Sequence, residues 1–507
     1  MVRAAVVPVA CDYLEIANAI ASVNAGDRIE IASGNCMMTN AIIAPSINFT
    51  LAGSGTNLTT LVSTNTAYCI RFPASSSVVV TDLNCVGSSA NTVGFFDALG
   101  YSHFARIQMT NLYYRGISLN LGLVENSVFI HAGGSAQSIS FVGAGYESWE
   151  SESPLGTTNV ACVEDCYFNA NGAPGNGYFD GYSGASLLFR NNFCDGYTPS
   201  GVHGYDSGQI SARTWEIYGN IFTNYPSGLV LHLRGGTGVI YGNQVFGGDV
   251  STLTFAAMAY YRSCMFTYSY IHQRGVPGFG MNINFDNVAG DDGYSDYFDG
   301  QPTNGATIFI GGTRYGFTNA YHNSSSVYGF PGGWVVTGST VAETITNFFN
   351  CINLSPIGAG TNYSASTVAS TEFVAIDLSE TSLVLTNILD SNTDGFGYPA
   401  NQQLGVLQSF EKTSTNFVND QVVWPIYAWD NTTNAGSVNL SLLDNNANCN
   451  YYITNLVKLN RDYFETEPSS EVYAPLVYPH PLSSTLIPHP IRGGTSGRIG
   501  AGGLMGR

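Results

Sequence analysis

Four stretches of sequence decide the fold: ACVEDCYFNAN (161–171), SLLFRNNFCDG (186–196), TWEIYGNIFTN (214–224) and GVIYGNQVFGG (238–248). Each holds a short run of β-branched and aromatic residues, then a polar or glycine turn, then Phe. Related stretches end at Phe129 and Phe266, and successive Phe positions lie 39, 25, 29, 24 and 20 residues apart. A recurring unit of this length is typical of a solenoid, whose repeats pack only on their neighbours.

Two positions of the repeat have predicted structural roles. We expect the repeated Phe to point inward and form a stacked ladder, at Phe129, Phe168, Phe193, Phe222, Phe246 and Phe266. The residue that opens each unit should lie at a turn with left-handed backbone; the six are Asn126, Asp165, Arg190, Gly219, Asn243 and Arg262. The longest interval implies an insertion, which we place at 133–160.

Composition indicates an all-β chain. Charged residues make up only 10% of the sequence, against roughly 25% in average soluble proteins, and there are 58 Gly. One convincing helix is predicted, over 12–24, where Asp12 and Glu15 form a capping-box pattern before an apolar face. Such a helix would cover the open end of a solenoid of strands. We therefore predict a right-handed parallel β-helix with a short N-terminal capping helix.

The net charge of −19 disfavours one class of partner, and it could also simply keep a β-rich protein soluble. An acidic surface without a basic stripe disfavours nucleic-acid binding. No stretch approaches the roughly 20 apolar residues of a membrane span. The opening residues imitate a short signal peptide, but the apolar run is minimal and broken by Pro8. We interpret this as a hint of a virion component that is released by lysis rather than secreted.

Ten cysteines are scattered along the chain, at 11, 36, 69, 85, 162, 166, 194, 264, 351 and 449. This is not the dense disulfide framework of a small secreted domain. Cys162 and Cys166 have no second pair nearby, which argues against zinc. We expect buried free thiols that stack inside the repeats, and no metal site among the cysteines.

The N-terminal region resembles a known superfamily. GDRIEIASG (26–34) and NFTLAGSGTNLTTLV (48–62) are similar to the opening turns of the pectate-lyase-like β-helix superfamily, in which a helix leads into turns with a Gly-x-Gly motif. This resemblance implies the β-helix fold, and polysaccharide lyase or glycoside hydrolase activity as one possible function.

The C-terminal region resembles a group of mostly uncharacterised bacterial and phage β-helix proteins. The motifs that match stand in order and are Gly397-Tyr-Pro399, Gln403-Leu-Gly405, Trp424-Pro-Ile-Tyr-Ala-Trp-Asp-Asn431, Arg461-Asp-Tyr-Phe464 and Tyr478-Pro-His-Pro-Leu482. Residues 400–402 depart from that pattern. The group shares a fold and gives little information about function. The predicted organisation is an N-terminal segment with the capping helix (1–28), parallel β-helix rungs with insertions (29–385), C-terminal rungs and cap (386–482) and a Gly-rich tail (483–507).

The best candidate site lies between residues 177 and 236. Three stretches that each begin at Gly carry the candidate catalytic residues Asp180, Asp206, His232 and Arg234. Alternation along a strand places His232 and Arg234 outward. His203 and Tyr205 would lie beside His232 and bind sugar. The cluster could be catalytic, could hold a glycan or could consist of solvated outward side chains.

A second cluster combines carboxylates with aromatic rings. Four carboxylates could bind Ca²⁺ or form a solvated turn, and they are Asp291, Asp292, Asp296 and Asp299. Trp149, Tyr294 and Tyr297 could stack on a sugar from exposed loops. Lys412 and Lys458 are the only lysines, which weakens a lysine-based lyase mechanism.

Two hypotheses about function follow. The first is a structural or adhesive β-helix of a virion (phage tail or capsid surface) or cell-surface assembly that binds host glycans. The alternative is a polysaccharide lyase or glycoside hydrolase. The Gly-rich tail should be flexible unless something holds it, so we expect it to contact a second copy in a homo-oligomer or a neighbouring assembly protein.

Overall fold

The computed structural model describes most of the first half of the chain and parts of the second. The described residues are 4–64, 68–87, 94–132, 137–143, 155–172, 177–196, 200–202, 212–225, 228–233, 236–247, 253–259, 426–438, 440–443, 459–460 and 463–485, with short elements between 280 and 388.

The chain winds as a parallel β-helix, as the repeat predicted. Its strands form one sheet of 20 strands and another of 11. Each turn contributes three short segments, which form three walls. The larger sheet contains two of these walls, which are joined by long strands that belong to both. The smaller sheet is the remaining wall. Successive strands of each wall pair in parallel, except for the antiparallel pair at 432–433 and 436–437 that ends the smaller sheet.

Wall 1 consists of the first segment of each turn. Its strands are β1 (Val6–Val9), β2 (Arg28–Ile31), β5 (Asn48–Ala52), β8 (Ser77–Thr81), the second parts of β10 (Gly94–Ala105) and β12 (Arg115–Glu125), β15 (Ala161–Glu164), β18 (Ser186–Arg190), β21 (Thr214–Tyr218), β24 (Thr237–Tyr241), β33 (Ile426–Trp429) and β37 (Tyr463–Phe464).

Wall 2 is the smaller sheet. Its strands are β3 (Gly34–Met38), β6 (Thr59–Ser63), β9 (Asn84–Val86), β11 (Gln108–Leu112), β13 (Val128–His131), β16 (Tyr167–Asn169), β19 (Phe193–Asp195), β22 (Ile221–Tyr225), β25 (Gln244–Gly247), β34 (Thr432–Thr433) and β35 (Gly436–Ser437).

Wall 3 closes each turn. Its strands are β4 (Ile42–Ile43), β7 (Tyr68–Phe72), the first parts of β10 and β12, β14 (Gln137–Val142), β17 (Gly177–Tyr182), β20 (Ser200–Val202), β23 (Gly228–Leu233), β26 (Leu253–Ala259) and β36 (Leu440–Leu443). Inward side chains of the three walls form one continuous apolar core.

The predicted capping helix is confirmed. Helix α1 (Tyr13–Ser22) begins after Asp12, whose side chain accepts hydrogen bonds from the amides of Leu14 (2.9 Å) and Glu15 (3.3 Å). Ile16 and Ile20 are fully buried in the core, so the helix covers the N-terminal end of the solenoid. No helix among the described residues is long and apolar enough to cross a membrane.

The predicted Phe ladder is correct at three positions and wrong at two. Phe129, Phe168 and Phe222 are fully buried, and the rings of Phe129 and Phe168 stack at 4.9 Å. Phe193 and Phe246 point outward and are 39% and 44% exposed. Cys194 and Val245 take the inward positions there, because strand pairing aligns Phe168 with Cys194 and Phe222 with Val245. A shift of one residue moves a side chain to the opposite face. Phe266 lies outside the described residues.

The turn prediction is also partly correct. Asn126, Asp165 and Gly219 have left-handed backbone, with φ of 49°, 54° and 66°. The prediction is wrong for Arg190 and Asn243. In those two turns the left-handed residues are the neighbours Asn191 and Gly242. Arg262 lies outside the part of the chain that the structure describes.

A ladder of buried asparagines was not predicted from the sequence. Asn192, Asn220, Asn243 and Asn431 occupy the same position in four turns, directly after the left-handed residue. In the first three, both the backbone amide and Nδ2 donate to Oδ1 of the next asparagine. Nδ2 of each also donates to a carbonyl of wall 1 in the preceding turn. The ladder therefore satisfies polar backbone groups that the solenoid would otherwise bury unpaired.

The ladder links turns that are far apart in sequence. Asn243 bonds Asn431, and strand pairing joins β24 to β33 and β26 to β36. The chain therefore leaves the solenoid after β26 and resumes it at β33. Among the described residues between them, six strands form two small sheets, β27 (Gly280–Asn284) with β31 (Phe373–Asp377) and β32 (Val384–Ile388), and β28 (Thr307–Ile310) with β29 (Thr313–Thr318) and β30 (Gly333–Val336). The predicted domain boundaries stay predictions.

The cysteine prediction needs one correction. Cys11 and Cys36 form a disulfide, which ties the segment before α1 to β3. The other described cysteines are free and buried, as predicted; they are Cys69, Cys85, Cys162, Cys166 and Cys194. Cys264, Cys351 and Cys449 lie outside the described residues. Burial raises the pKa of the described thiols wherever a shift is resolved, which keeps them protonated and unreactive.

The substitution Asn220→Ala tests the ladder. We expect a loss of about 2–3 kcal/mol in the free energy of unfolding, because the buried amide of Asn192 loses its acceptor. Urea denaturation measures the loss, and Asn40→Ala, at an exposed asparagine, is the matched control. Equal effects of the two substitutions would contradict a stabilising role for the ladder.

Peptide mapping tests the disulfide. Non-reducing digestion should give a linked peptide that contains Cys11 and Cys36, and the five buried thiols should react with iodoacetamide only after unfolding. Recovery of unlinked, alkylated Cys11 from the native, non-reduced protein would show that the pairing is wrong.

Candidate functional site

A row of polar side chains runs along the outer face of wall 3. Strand pairing aligns one position in seven successive strands, occupied by Arg71, Asp97, Ser118, Ser140, Asp180, Gly201 and His232. The preceding and following positions in the first four strands are core residues such as Phe96 and Phe141, so the row faces outward. We call these seven residues the polar row.

Hydrogen bonds hold the polar row in place. Arg71 Nε donates to Asp97 Oδ2 at 2.7 Å. Gln137 donates from Nε2 to Asp180 Oδ2 at 3.1 Å and accepts from Ser140 Oγ at 2.7 Å. Both carboxylates are largely buried, although they lie on the outer face. These hydrogen bonds therefore hold both carboxylates at fixed positions.

Aromatic rings lie beside the row and contact two arginines, Arg71 of the row and the neighbouring Arg115. The Arg71 guanidinium lies 4.3 Å from the ring centroid of Tyr68, and that of Arg115 lies 5.0 Å and 5.2 Å from those of Tyr114 and Tyr182. Burial raises the pKa of Tyr182 to about 12, so its hydroxyl stays protonated at neutral pH. Arg115 Nε is buried without a hydrogen-bond partner among the described residues. This cation could receive an acidic or hydroxyl group of a ligand.

Two of the predicted catalytic residues share this row. Asp180 and His232 lie two strands apart, about 10 Å between their α-carbons, with Gly201 between them. A side chain at 201 would collide with the backbone of His232, so this position in the row stays open. The structure does not describe the other predicted site residues, which are Asp206, Arg234, His203, Tyr205, Trp149, Tyr294 and Tyr297.

The predicted calcium cluster is not among the described residues either; its members are Asp291, Asp292, Asp296 and Asp299. Within the described ranges, no group of three or more His, Cys, Asp or Glu side chains is arranged to hold a metal ion.

The other members of the polar row were not predicted from the sequence. Arg71 and Asp97 are 26 residues apart, and Gln137 and Asp180 are 43 apart. Turns of the solenoid differ in length because loops of different size join the strands, so spacing alone does not align these residues. Their alignment becomes visible only through the strand pairing.

A second polar cluster lies on the outer face of wall 1. Six aligned positions carry Glu125, Glu164, Arg190, Tyr218, Tyr241 and Trp429. Residues 472–483, here called the C-terminal strap, bond to several of these side chains. Glu125 also accepts a hydrogen bond from His103 Nε2 at 2.7 Å, and both side chains are buried.

Arg190 anchors the strap to wall 1. Its guanidinium is fully buried and pairs with Glu164 through Nε (2.8 Å) and Nη2 (2.7 Å). The Nη1 group donates to the Tyr218 hydroxyl and to the carbonyl of Leu476, and Nη2 also donates to the carbonyl of Val477. All five N–H groups of one arginine are thus engaged.

Comparisons with known proteins leave function open. No protein-family model matches the chain, and no curated protein matches it. Among solved structures, the chain is similar to the crystal structure of an alginate lyase from Paenibacillus sp. str. FPU-7, with a TM-score of 0.33 and 16% identity over 50% of this chain and 97% of that one.

The substitution Arg190→Lys tests the anchor. Lysine has three donors in place of five, so the strap should loosen, with a loss of up to about 3–5 kcal/mol in the free energy of unfolding. Cys162 is buried beside Leu476 of the strap, so faster thiol labelling of Cys162 reports the loosening. Arg106→Lys is the control, since Arg106 pairs with Asp82 in a partly exposed bridge. Equal labelling of the two variants would contradict the anchoring role.

Proposed function

We propose that this chain is a structural or adhesive β-helix of a virion surface or cell-surface assembly, and that the polar row binds host glycans. The observation that carries the proposal is the row itself. Seven aligned positions, spaced about 4.8 Å apart, present carboxylates, hydroxyls, an arginine and an imidazole along one line. An extended glycan offers hydroxyl groups along its length and suits such a linear array.

The chemistry around the row supports a glycan ligand. Asp97 and Asp180 can accept hydrogen bonds from sugar hydroxyls, while Arg71 and Arg115 can donate to hydroxyl or acidic groups. Tyrosine rings beside the arginines provide the apolar surface that sugar faces contact. Polar groups at fixed positions next to aromatic surface are typical of specific ligand sites.

The setting and partners are part of the same proposal. The Cys11–Cys36 disulfide fits an oxidising compartment, as expected outside the cell. The tail at 483–507 would contact a second copy or a neighbouring assembly protein. Calcium would bind at the acidic cluster of 291–299 and stabilise that stretch of the chain.

A polysaccharide lyase or hydrolase is the second candidate. The open position at Gly201, between Asp180 and His232, could admit a sugar within reach of an acid and a base. Asp97 and Asp180 are three strands apart, about 14 Å between α-carbons, which exceeds the roughly 5–10 Å between glycosidase carboxylates. The described carboxylates of the row therefore favour binding over hydrolysis.

Glycan-array binding by the full chain tests the proposal. Arg115→Gln and Asp180→Asn should each weaken binding about 5- to 30-fold, because each removes one charged hydrogen-bonding group worth about 1–2 kcal/mol. Arg28→Gln, outside the row on wall 1, should leave binding unchanged. Binding to no glycan on the array, or equal loss in the control, would refute the proposal.

Product analysis separates the two candidates. The wild-type chain is incubated with uronate-containing and neutral polysaccharides, and unsaturated ends and reducing ends are measured. We expect glycan binding without turnover. Turnover that His232→Ala abolishes would establish the enzyme instead.

A further inference from the structure

We propose that the outer face of wall 1 is a second carbohydrate site, specific for neutral, hydroxyl-rich sugars, and that the C-terminal strap occupies it in cis. This site is on a different wall from the polar row, and its ligand differs in charge. Four observations support it: the hydrogen bonds that the strap makes, the aromatic stack beneath it, the groups that it leaves unpaired and the charge of the surface.

The strap's polar contacts are those of a polyhydroxylated ligand. Its hydroxyls and one amide donate to carboxylates of the solenoid: Tyr473 Oη to Glu216 (2.5 Å), Tyr478 Oη to both oxygens of Asp165 (3.0 Å), Ser483 Oγ to Glu164 (3.3 Å) and the His480 amide to Glu164 (2.8 Å). In the other direction, Arg190 donates to two strap carbonyls, at 2.6 Å and 3.0 Å. A sugar donates hydroxyl protons to carboxylates and accepts from arginine in the same manner.

A stack of aromatic rings continues the same surface. Tyr218 and Tyr241 lie 4.5 Å apart with nearly parallel rings, and Tyr241 and Trp429 lie 4.3 Å apart. The strap's Tyr473 contacts the edge of this stack at Tyr241. Aromatic surface beside carboxylates and an arginine is typical of ligand pockets that bind sugars.

The strap leaves polar groups in the site unsatisfied. His103 Nε2 bonds Glu125, whereas His103 Nδ1 is buried without a partner. In the strap, His480 Nδ1 accepts from the Leu482 amide, so Nε2 carries the proton, and it too lacks a partner. Both imidazoles are almost fully buried. An unpaired buried nitrogen costs free energy, and a ligand hydroxyl could pair with His103 once the strap has left.

The Glu216 carboxyl shows the same imperfect fit. Burial raises its pKa to about 7, although Tyr473 and the Gly156 amide donate to it. The strap therefore stabilises the charged form of Glu216 incompletely. Additional hydroxyl donors from a sugar would stabilise that form better.

The charge of the surface selects the ligand. The carboxylates that face the strap are Glu125, Glu164, Asp165 and Glu216, and the basic groups are Arg190 and His103. This excess of negative charge would repel uronate or sulfated sugars. The polar row contains Asp97 and Asp180 together with Arg71, and Arg115 lies beside it against Tyr182, so it has no such excess.

One apolar residue of the strap offers a way to open the site. Leu476 packs among Leu123, Val160, Cys162 and Leu188 on the wall, whereas the adjacent Val477 is 63% exposed. Leu476→Ala should weaken the strap without changing the wall, and Val477→Ala is the matched control. Faster thiol labelling of Cys162 reports whether the strap has opened.

Binding of neutral and acidic oligosaccharides tests the proposal. Titration of the full chain uses cellohexaose, mannohexaose and maltohexaose as neutral probes and an oligogalacturonate as the acidic probe. We expect Leu476→Ala to bind at least one neutral probe about tenfold more tightly than wild type or Val477→Ala, since the strap no longer competes. The acidic probe should show no gain, and Glu216→Ala in the Leu476→Ala background should remove the gain.

A second variant covers the case in which Leu476→Ala does not open the strap. A protease site inserted at the exposed residues 469–471 allows the strap to be cut after folding. Labelled Cys162 without binding of any neutral probe, or an equal gain for the acidic probe, would overturn the proposal. A strap that stays closed after cleavage would also overturn the proposal. Arg115→Gln, beside the polar row, should leave the gain intact, which separates this result from failure of the glycan proposal for wall 3.

Discussion

The side-chain amides of Asn192, Asn220, Asn243 and Asn431 hold four turns of the solenoid at one spacing, and the alignment of the side chains on these turns depends on this spacing. At the corner between wall 1 and wall 2 the backbone turns sharply, so its amides and carbonyls would be buried without partners. Each asparagine bonds both the neighbouring turn and a carbonyl of wall 1. Successive turns are thereby fixed in the same alignment.

Parallel strand pairing along the solenoid converts scattered residues into rows. On wall 3 it brings Arg71, Asp97, Asp180 and His232 into one line, although 161 positions separate the first from the last. On wall 1 it aligns Glu164 with Arg190 and Tyr218 with Tyr241. A solenoid presents surface chemistry in lines of this kind because each turn repeats the geometry of the previous one.

The two surfaces differ in their net charge and in what covers them. The polar row combines aspartates with arginines held against tyrosine rings, which suits hydroxyl or acidic groups of a glycan. The wall 1 surface is rich in carboxylates and is covered by the C-terminal strap, which Arg190 holds through its backbone carbonyls. Burial of so many ionisable groups is costly unless they are well paired, and the unpaired nitrogens of His103 and His480 show where pairing is incomplete.

Sequence by itself determined the fold class, the capping helix that follows Asp12 and the inward positions of Phe129, Phe168 and Phe222, because periodic apolar runs and turn residues act locally. It did not determine which face Phe193 and Phe246 occupy, since a one-residue shift at a turn reverses the face. The asparagine ladder was missed because Asn is also a common turn residue. Only the tertiary structure paired Cys11 with Cys36 and placed Leu476 on Arg190, 286 residues away. Contacts of that range depend on how the turns stack and leave no periodic signal in the chain.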